Sequence, residues 1–223
     1  MILIKRFIQT CLLMPVFLIV HINWSLHYTP NCDSNVNQDV LNQLNYLGES
    51  MKKDGIDAQM QAYFPEGYFF TNVLYGLAWC DVLKSADKQT PLFKRGVGEI
   101  EWSIGKLNSE EGKRIFNAQS PLPYGAFYNG PAASVVAIKA MKENQDFALH
   151  ASIRNAIEAF GFSINWDDSK FYLGKQLPVA DAFIAWCNAQ NCLNSSQKMS
   201  FPWLFHLISL LIVVPFCWWI YKL

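Results

Sequence analysis

Three short stretches hold the residues with chemistry to offer. In "AYFPEGYFF", residues 62–70, Glu66 is the one acidic residue in a run dominated by aromatics. An apolar setting of that kind favours the protonated carboxyl that a general acid needs. In "YLGKQLPVADAF", residues 172–183, Asp181 follows Pro178 by three residues. Two carboxylates facing one another across a cleft suit glycoside hydrolysis, where one protonates the leaving oxygen and the other attacks or activates water. Glu66 and Asp181 are therefore the candidate catalytic pair. The third stretch, "SPLPYGAFYNGP" at 120–131, supplies Tyr124, Tyr128 and Asn129. With Tyr68 they form the candidate ligand-binding set, since a tyrosine ring offers a sugar an apolar face and a polar tip.

Each feature also has a plainer reading. Glu66 and Asp181 both fall in or beside the first turn of an expected helix, where the dipole favours a negative charge by about 0.3–1 kcal/mol. Gly125 and Gly130 serve turns in the tyrosine loop, and Pro131 opens a helix. Asp167 and Asp168 in "NWDDS" are a competing acid pair that reads as an exposed loop. The histidines at 21, 27, 150 and 206 are scattered and make no triad or metal cluster, and "GVGEIEWSIG" is a helix segment rather than a phosphate loop. No cofactor and no metal are expected.

The loops need helices to position them, and the periodicity supplies these. Val40, Leu44, Leu47 and Met51 recur at helical spacing, closed by Lys52, Lys53, Asp54 and Gly55. A second helix is expected from about Phe70 to Ser85, with Gly76 and Ala78 leaving room for a close neighbour. Phe93, Val97, Ile100, Ile104 and Leu107 mark a third, opened by Pro91. Shorter helices are expected at 110–118 and 131–143, then one along Leu149, Ile153, Ala156, Ile157 and Phe160, and a last at Pro178–Gln190. No strand-like alternation persists beyond a few residues, so the class is all-α, a helix-hairpin array.

"FPEGYFFTNVLYGLAW", "PYGAFYNG" and "LPVADAF" together resemble bacterial membrane-tethered domains related to the α/α-toroid, or six-hairpin glycosidase-like, fold, over roughly residues 40–190. The resemblance implies helix hairpins around a cleft bearing Glu66, Tyr124, Tyr128 and Asp181, with glycoside hydrolase-like or epimerase-like chemistry if the chain is an enzyme. A whole toroid needs about twice the helices counted here, and Pro131 stands where an aromatic residue is expected after "FYNG". It therefore implies a partial toroid, a shortened relative without activity, or one completed by a second copy as a homo-oligomer.

The ends of the chain say where such a domain sits. "FPWLFHLISLLIVVPFCWWIYKL", Phe201–Leu223, is long enough to cross a hydrocarbon layer, which takes about 20 residues, and carries Trp203, Trp218, Trp219 and Tyr221 near its ends. Phe7–Val20, after Lys5 and Arg6, fits a signal-like segment or an uncleaved anchor; the absence of a small-residue cleavage site favours the anchor. The expected domains are an N-terminal anchor at 1–27, an exported helical domain at 28–198 and a transmembrane helix at 199–223. Lys5 and Arg6 place both termini in the cytoplasm, in a membrane expected to be the bacterial inner membrane. Residues 33–181 hold all 18 acidic residues against 14 basic ones, a net charge of −4 without a basic stripe, so nucleic acid is not an expected partner. Of the six cysteines, Cys32, Cys80, Cys187 and Cys192 fall in the exported part, where disulfides form; a local Cys187–Cys192 bridge is conceivable, and Cys80 reads as a buried thiol. The whole reads as a membrane-anchored envelope protein that binds or processes a carbohydrate-like ligand, the alternative being a non-enzymatic membrane scaffold.

Overall fold

Most of the helix signals in the sequence coincide with elements of the computed structural model, which describes residues 2–33, 35–63, 66–114, 147–189 and 203–222. Helix α1 (Ile2–Ser25) is followed by a small antiparallel hairpin, β1 (Cys32–Asp33) and β2 (Val36–Asn37), turned by Asn35 at φ 68°. Then come α2 (Gln38–Lys53), α3 (Ile56–Tyr63), α4 (Gly67–Ser85), α5 (Pro91–Leu107) and α6 (Glu110–Arg114). Helix α7 (Phe147–Phe160) leads into a second antiparallel hairpin, β3 (Ile164–Trp166) and β4 (Ser169–Phe171), and the chain closes with α8 (Pro178–Asn188) and α9 (Trp203–Lys222). The molecule is mostly helical, as the periodicity predicts. Helix α3 and both hairpins are additions to the sequence reading, and the helix expected at 131–143 lies outside the described residues.

Local chemistry explains the boundaries. Asn37 caps α2, its Oδ1 accepting from the N–H groups of Asp39 at 3.0 Å and Val40 at 3.4 Å. Thr90 caps α5 through the N–H of Phe93 at 3.3 Å, with Pro91 in the first turn. Glycine is needed where backbones meet. A Cβ on Gly67 would stand 2.2 Å from the carbonyl oxygen of Met60, so the start of α4 can rest on α3 only without a side chain there. A Cβ on Gly76 would stand 2.9 Å from Ser103 Oγ, the close neighbour expected from the sequence being α5.

Helix α4 is the centre of the domain. Its Tyr75, Ala78, Trp79 and Val82 are buried among Leu44 and Leu47 of α2, Met60 of α3, and Val179, Ala182 and Ala185 of α8, with Trp102 of α5 packed against them. Fully buried Asp57 is satisfied by Lys106 Nζ at 3.2 Å and Asn72 Nδ2 at 3.1 Å, which lock α3, α4 and α5 together.

Helices α1 and α9 lie outside this core and pack on each other. Both are long and apolar enough to cross a membrane, and their apolar side chains point outward, Phe7, Phe17, Leu210 and Leu211 among them. Gln9 Nε2 donates to the Ile220 carbonyl at 3.3 Å, and at the other end His206 Nδ1 meets Asn23 Oδ1 while His27 and His206 pair Nε2 to Nε2 at 2.9 Å. The pair is therefore antiparallel.

Candidate functional site

Glu66 occupies the N-cap position of α4, half-buried, with no side-chain capping bond; its carbonyl accepts from the Phe70 N–H at 2.9 Å. It begins a helix, as the plainer reading holds. Asp181 lies in the first turn of α8 with no exposed surface, and its role there is not capping. Its Oδ1 instead accepts from the Tyr172 N–H at 2.9 Å, and its carbonyl accepts from Gln43 Nε2 at 2.7 Å, while Oδ2 has no hydrogen-bond partner among the described residues. Burial pushes the Asp181 carboxyl up to about 8, against the partial relief of the Tyr172 N–H bond. No hydrogen bond joins Glu66 to Asp181. Tyr68 belongs to the core, 1% exposed, under the Lys106 ammonium at 5.4 Å. Tyr124, Tyr128 and Asn129 lie outside the described residues. Asp167 and Asp168 form the exposed tip of the β3–β4 hairpin, with Asp167 at φ 55°.

A different set of residues converges on a cavity. Helix α7 buries a polar face beside an apolar one, on which Ile153 and Ile157 pack against Tyr172 and Ile184. Its polar residues His150, Arg154, Asn155 and Glu158 are buried at 2–5% exposure, while Leu149 and Phe160, from its apolar stripe, are 42% and 55% exposed. The buried polar face meets the foot of α1 and the segment after it. Asn155 Nδ2 donates to the Leu26 carbonyl at 2.8 Å, and Arg154 Nη2 reaches the Tyr28 carbonyl at 3.5 Å. Between them opens a cavity of about 690 Å³ lined by His21, Trp24, Ser25, His27, Tyr28, Thr29, Glu158, Ser163 and Asn165.

Glu158 is held at this cavity by a buried network. Its Oε1 accepts from Lys170 Nζ at 2.8 Å and from the Tyr172 hydroxyl at 2.5 Å. Lys170 Nζ is also 3.3 Å from the Tyr28 hydroxyl, which donates to Asp39, and it sits 4.3 Å from the Tyr28 ring centre. Strand β4 explains the convergence: Lys170 and Phe171 point to opposite faces, so Lys170 and Tyr172 reach Glu158 while Phe171 packs against Tyr46. Burial, with the Glu158 charge second, drives the Tyr28 and Tyr172 hydroxyls far above their ordinary values, so both remain donors. Asp181 touches this site only through Tyr172, whose N–H it holds and whose hydroxyl holds Glu158.

The sequence reading did not single out Glu158, Lys170, Tyr172 or Tyr28. Arg154 and Glu158, four apart on a helix, look like an ordinary surface pair. The one available signal is the four-residue spacing of His150, Arg154 and Glu158, a polar stripe as regular as the apolar one. Among the described residues, no cluster of three or more His, Cys, Asp or Glu is placed to hold a metal ion. Comparison with protein-family models, with curated proteins and with solved structures returns no match.

Proposed function

We propose that this chain is a membrane-anchored envelope protein that binds a carbohydrate-like, hydroxyl-bearing ligand in the cavity between α1 and α7. In this reading α1 and α9 are both membrane spans with their Gln9 and Ile220 ends in the cytoplasm, and residues 28–198 form an exported domain related to a partial α/α toroid. Close packing of α4 on α3 before it and on α5 after it supports a hairpin array. The observation that carries the functional reading is Glu158, a buried charge brought to a cavity wall by a helix whose polar face turns inward. Burying Arg154, Glu158 and Lys170 is costly unless every partner is in place, and a cavity beside them gives that arrangement a use. Ser25, Thr29, Ser163 and Asn165 add neutral hydrogen-bonding groups, and Trp24, 82% exposed at the rim, adds a stacking face.

Binding has more support than hydrolysis. Glycoside hydrolysis uses two carboxyl groups about 5–10 Å apart, and among the described residues lining the cavity Glu158 is the single carboxylate. The paired-acid reading, with Glu66 and Asp181 acting on a ligand held by Tyr68, Tyr124, Tyr128 and Asn129, rests on the sequence motifs. The scaffold reading is favoured by the full burial of Asp181 and Tyr68, which serve packing. Saturation-transfer NMR on the full chain in nanodiscs, with methyl glucoside and N-acetylglucosamine as probes, tests the site. Saturation of the sugar protons that is lost in Asn165→Ala supports it. No transfer to either sugar favours the scaffold.

A further inference from the structure

We infer that the ligand is an uncharged glycolipid, with its sugar in the polar cavity and an acyl chain in an apolar groove that opens from it along α1; this rests on the reading of that cavity as a site for a hydroxylated ligand. The groove, about 490 Å³, is lined by Met14, Pro15, Phe17 and Leu18 of α1 and by Phe162 and Ile164 at the entry to β3. Two residues, His21 and Ser163, line both spaces, so the polar cavity and the groove adjoin. Each is within the roughly 300–1,000 Å³ of ordinary ligand sites. A free sugar has no use for the groove, whereas an amphiphile fills both.

Position and charge narrow the class. Met14 to Leu18 lie in the middle of the apolar span Leu3–Ser25, so the groove belongs at the depth of lipid chains and the cavity at the depth of head groups. The chain's own aromatic residues keep the groove apolar: Phe162 stacks on His21 with ring centres 5.9 Å apart. Among the described residues lining the head-group cavity there is no lysine or arginine, and the one carboxylate, Glu158, is already paired with Lys170, so no cation faces the cavity to hold a phosphate. Sugar hydroxyls, by contrast, find a carboxylate acceptor, neutral hydroxyl and amide partners, and the Trp24 ring. At the junction, His21 Nε2 is buried without a hydrogen-bond partner among the described residues. An oxygen linking sugar to glycerol would lie there and satisfy it.

The test uses the full chain in detergent micelles and native mass spectrometry, with monoglucosyl dioleoylglycerol, dioleoyl phosphatidylglycerol and methyl glucoside as probes. The glucolipid is expected to be retained about ten-fold over the phosphatidylglycerol. Leu18→Trp, at a position already 39% exposed, fills the groove without disturbing the core. It is expected to lower glucolipid retention about ten-fold and leave methyl glucoside binding unchanged. Asn165→Ala is expected to weaken both sugar-bearing probes. Equal retention of the two lipids, or a glucolipid indifferent to Leu18→Trp, overturns the inference while methyl glucoside binding keeps the sugar site. Failure of both sugar probes removes the site and the inference together.

Discussion

Asp181 and Glu158 are both buried acids, yet they respond to change in opposite ways. Asp181 has a folded-state value near 8 against 3.8 when unfolded, so the native protein holds its proton where the unfolded chain has released it. Its favourable contribution is complete below about pH 3.8 and is lost as pH rises to about 8, at a slope of up to about 1.4 kcal/mol per pH unit. Asp181→Asn keeps an acceptor for the Tyr172 N–H and has no carboxyl to titrate. Thermal unfolding followed between pH 4 and pH 8 should therefore show a flatter profile for the variant than for the wild type. A profile of unchanged slope would mean that this carboxyl is already ionised in the fold. Glu158 instead neutralises Lys170, with side-chain exposures of only 3% and 2%. Glu158→Gln leaves an ammonium buried without its counter-charge and should cost about 3–5 kcal/mol in chemical denaturation. Adding Lys170→Met should recover most of that loss, because the apolar stem fits the same space. A double variant no more stable than Glu158→Gln would place the damage elsewhere. At this scale the sequence was least informative: Glu66 stood out by its aromatic neighbours and Asp181 by its place after Pro178, but which acid meets a cavity depends on how α7 rotates, and nothing local records that.

Helices were the legible elements, since caps and stops act within a few residues. Pro91 and Gly55 mark ends that the structure keeps, and it adds the caps Asn37 and Thr90. Helix α3 escaped notice because eight residues give only Ile56 and Met60 as an apolar stripe. The β3–β4 hairpin escaped because three-residue strands are too short to alternate visibly. Strict boundaries also moved: α4 begins at Gly67 rather than near Phe70, because the bare glycine lets its first turn rest on Met60. Gly67→Ala should accordingly lower the unfolding temperature despite alanine's better helix propensity, and a neutral or raised value would show that α3 gives way. The packing of α1 on α9 carries its own register. Gln9 with Ile220 and Asn23 with His206 lie on one antiparallel alignment, and Val16 falls opposite Val213, both half-buried. In a Cys11→Ser, Cys217→Ser background, Val16→Cys paired with Val213→Cys should form a disulfide on mild oxidation. The outward-facing control Val16→Cys with Val214→Cys should form it less. Equal yields, or none, would break the hairpin.

For the molecule as a whole, the antiparallel hairpin sets Lys5 and Arg6 at the same end as Lys222, with the helical domain at the other. Positive residues retained on the cytoplasmic side would then leave the domain outside. The cysteines correct one expectation. Cys187 is buried beside Tyr172 and Ile184 and is not in a disulfide, so the local bridge conceived for it does not form, whereas Cys32 is disulfide-bonded. Cys11, Cys80 and Cys217 are free, Cys80 half-buried rather than sealed. In the proposed topology that end of the hairpin faces an oxidising compartment, where a disulfide at Cys32 forms. Peptide mapping without reduction should recover Cys32 in a disulfide. In sealed vesicles that keep the native orientation, protease added from outside should cut at the exposed Asp167–Asp168 tip and spare tags placed at either end of the chain. Cysteine 32 found reduced, together with a tag lost to external protease, would invert the topology and move the cavity between α1 and α7 to the cytoplasmic side.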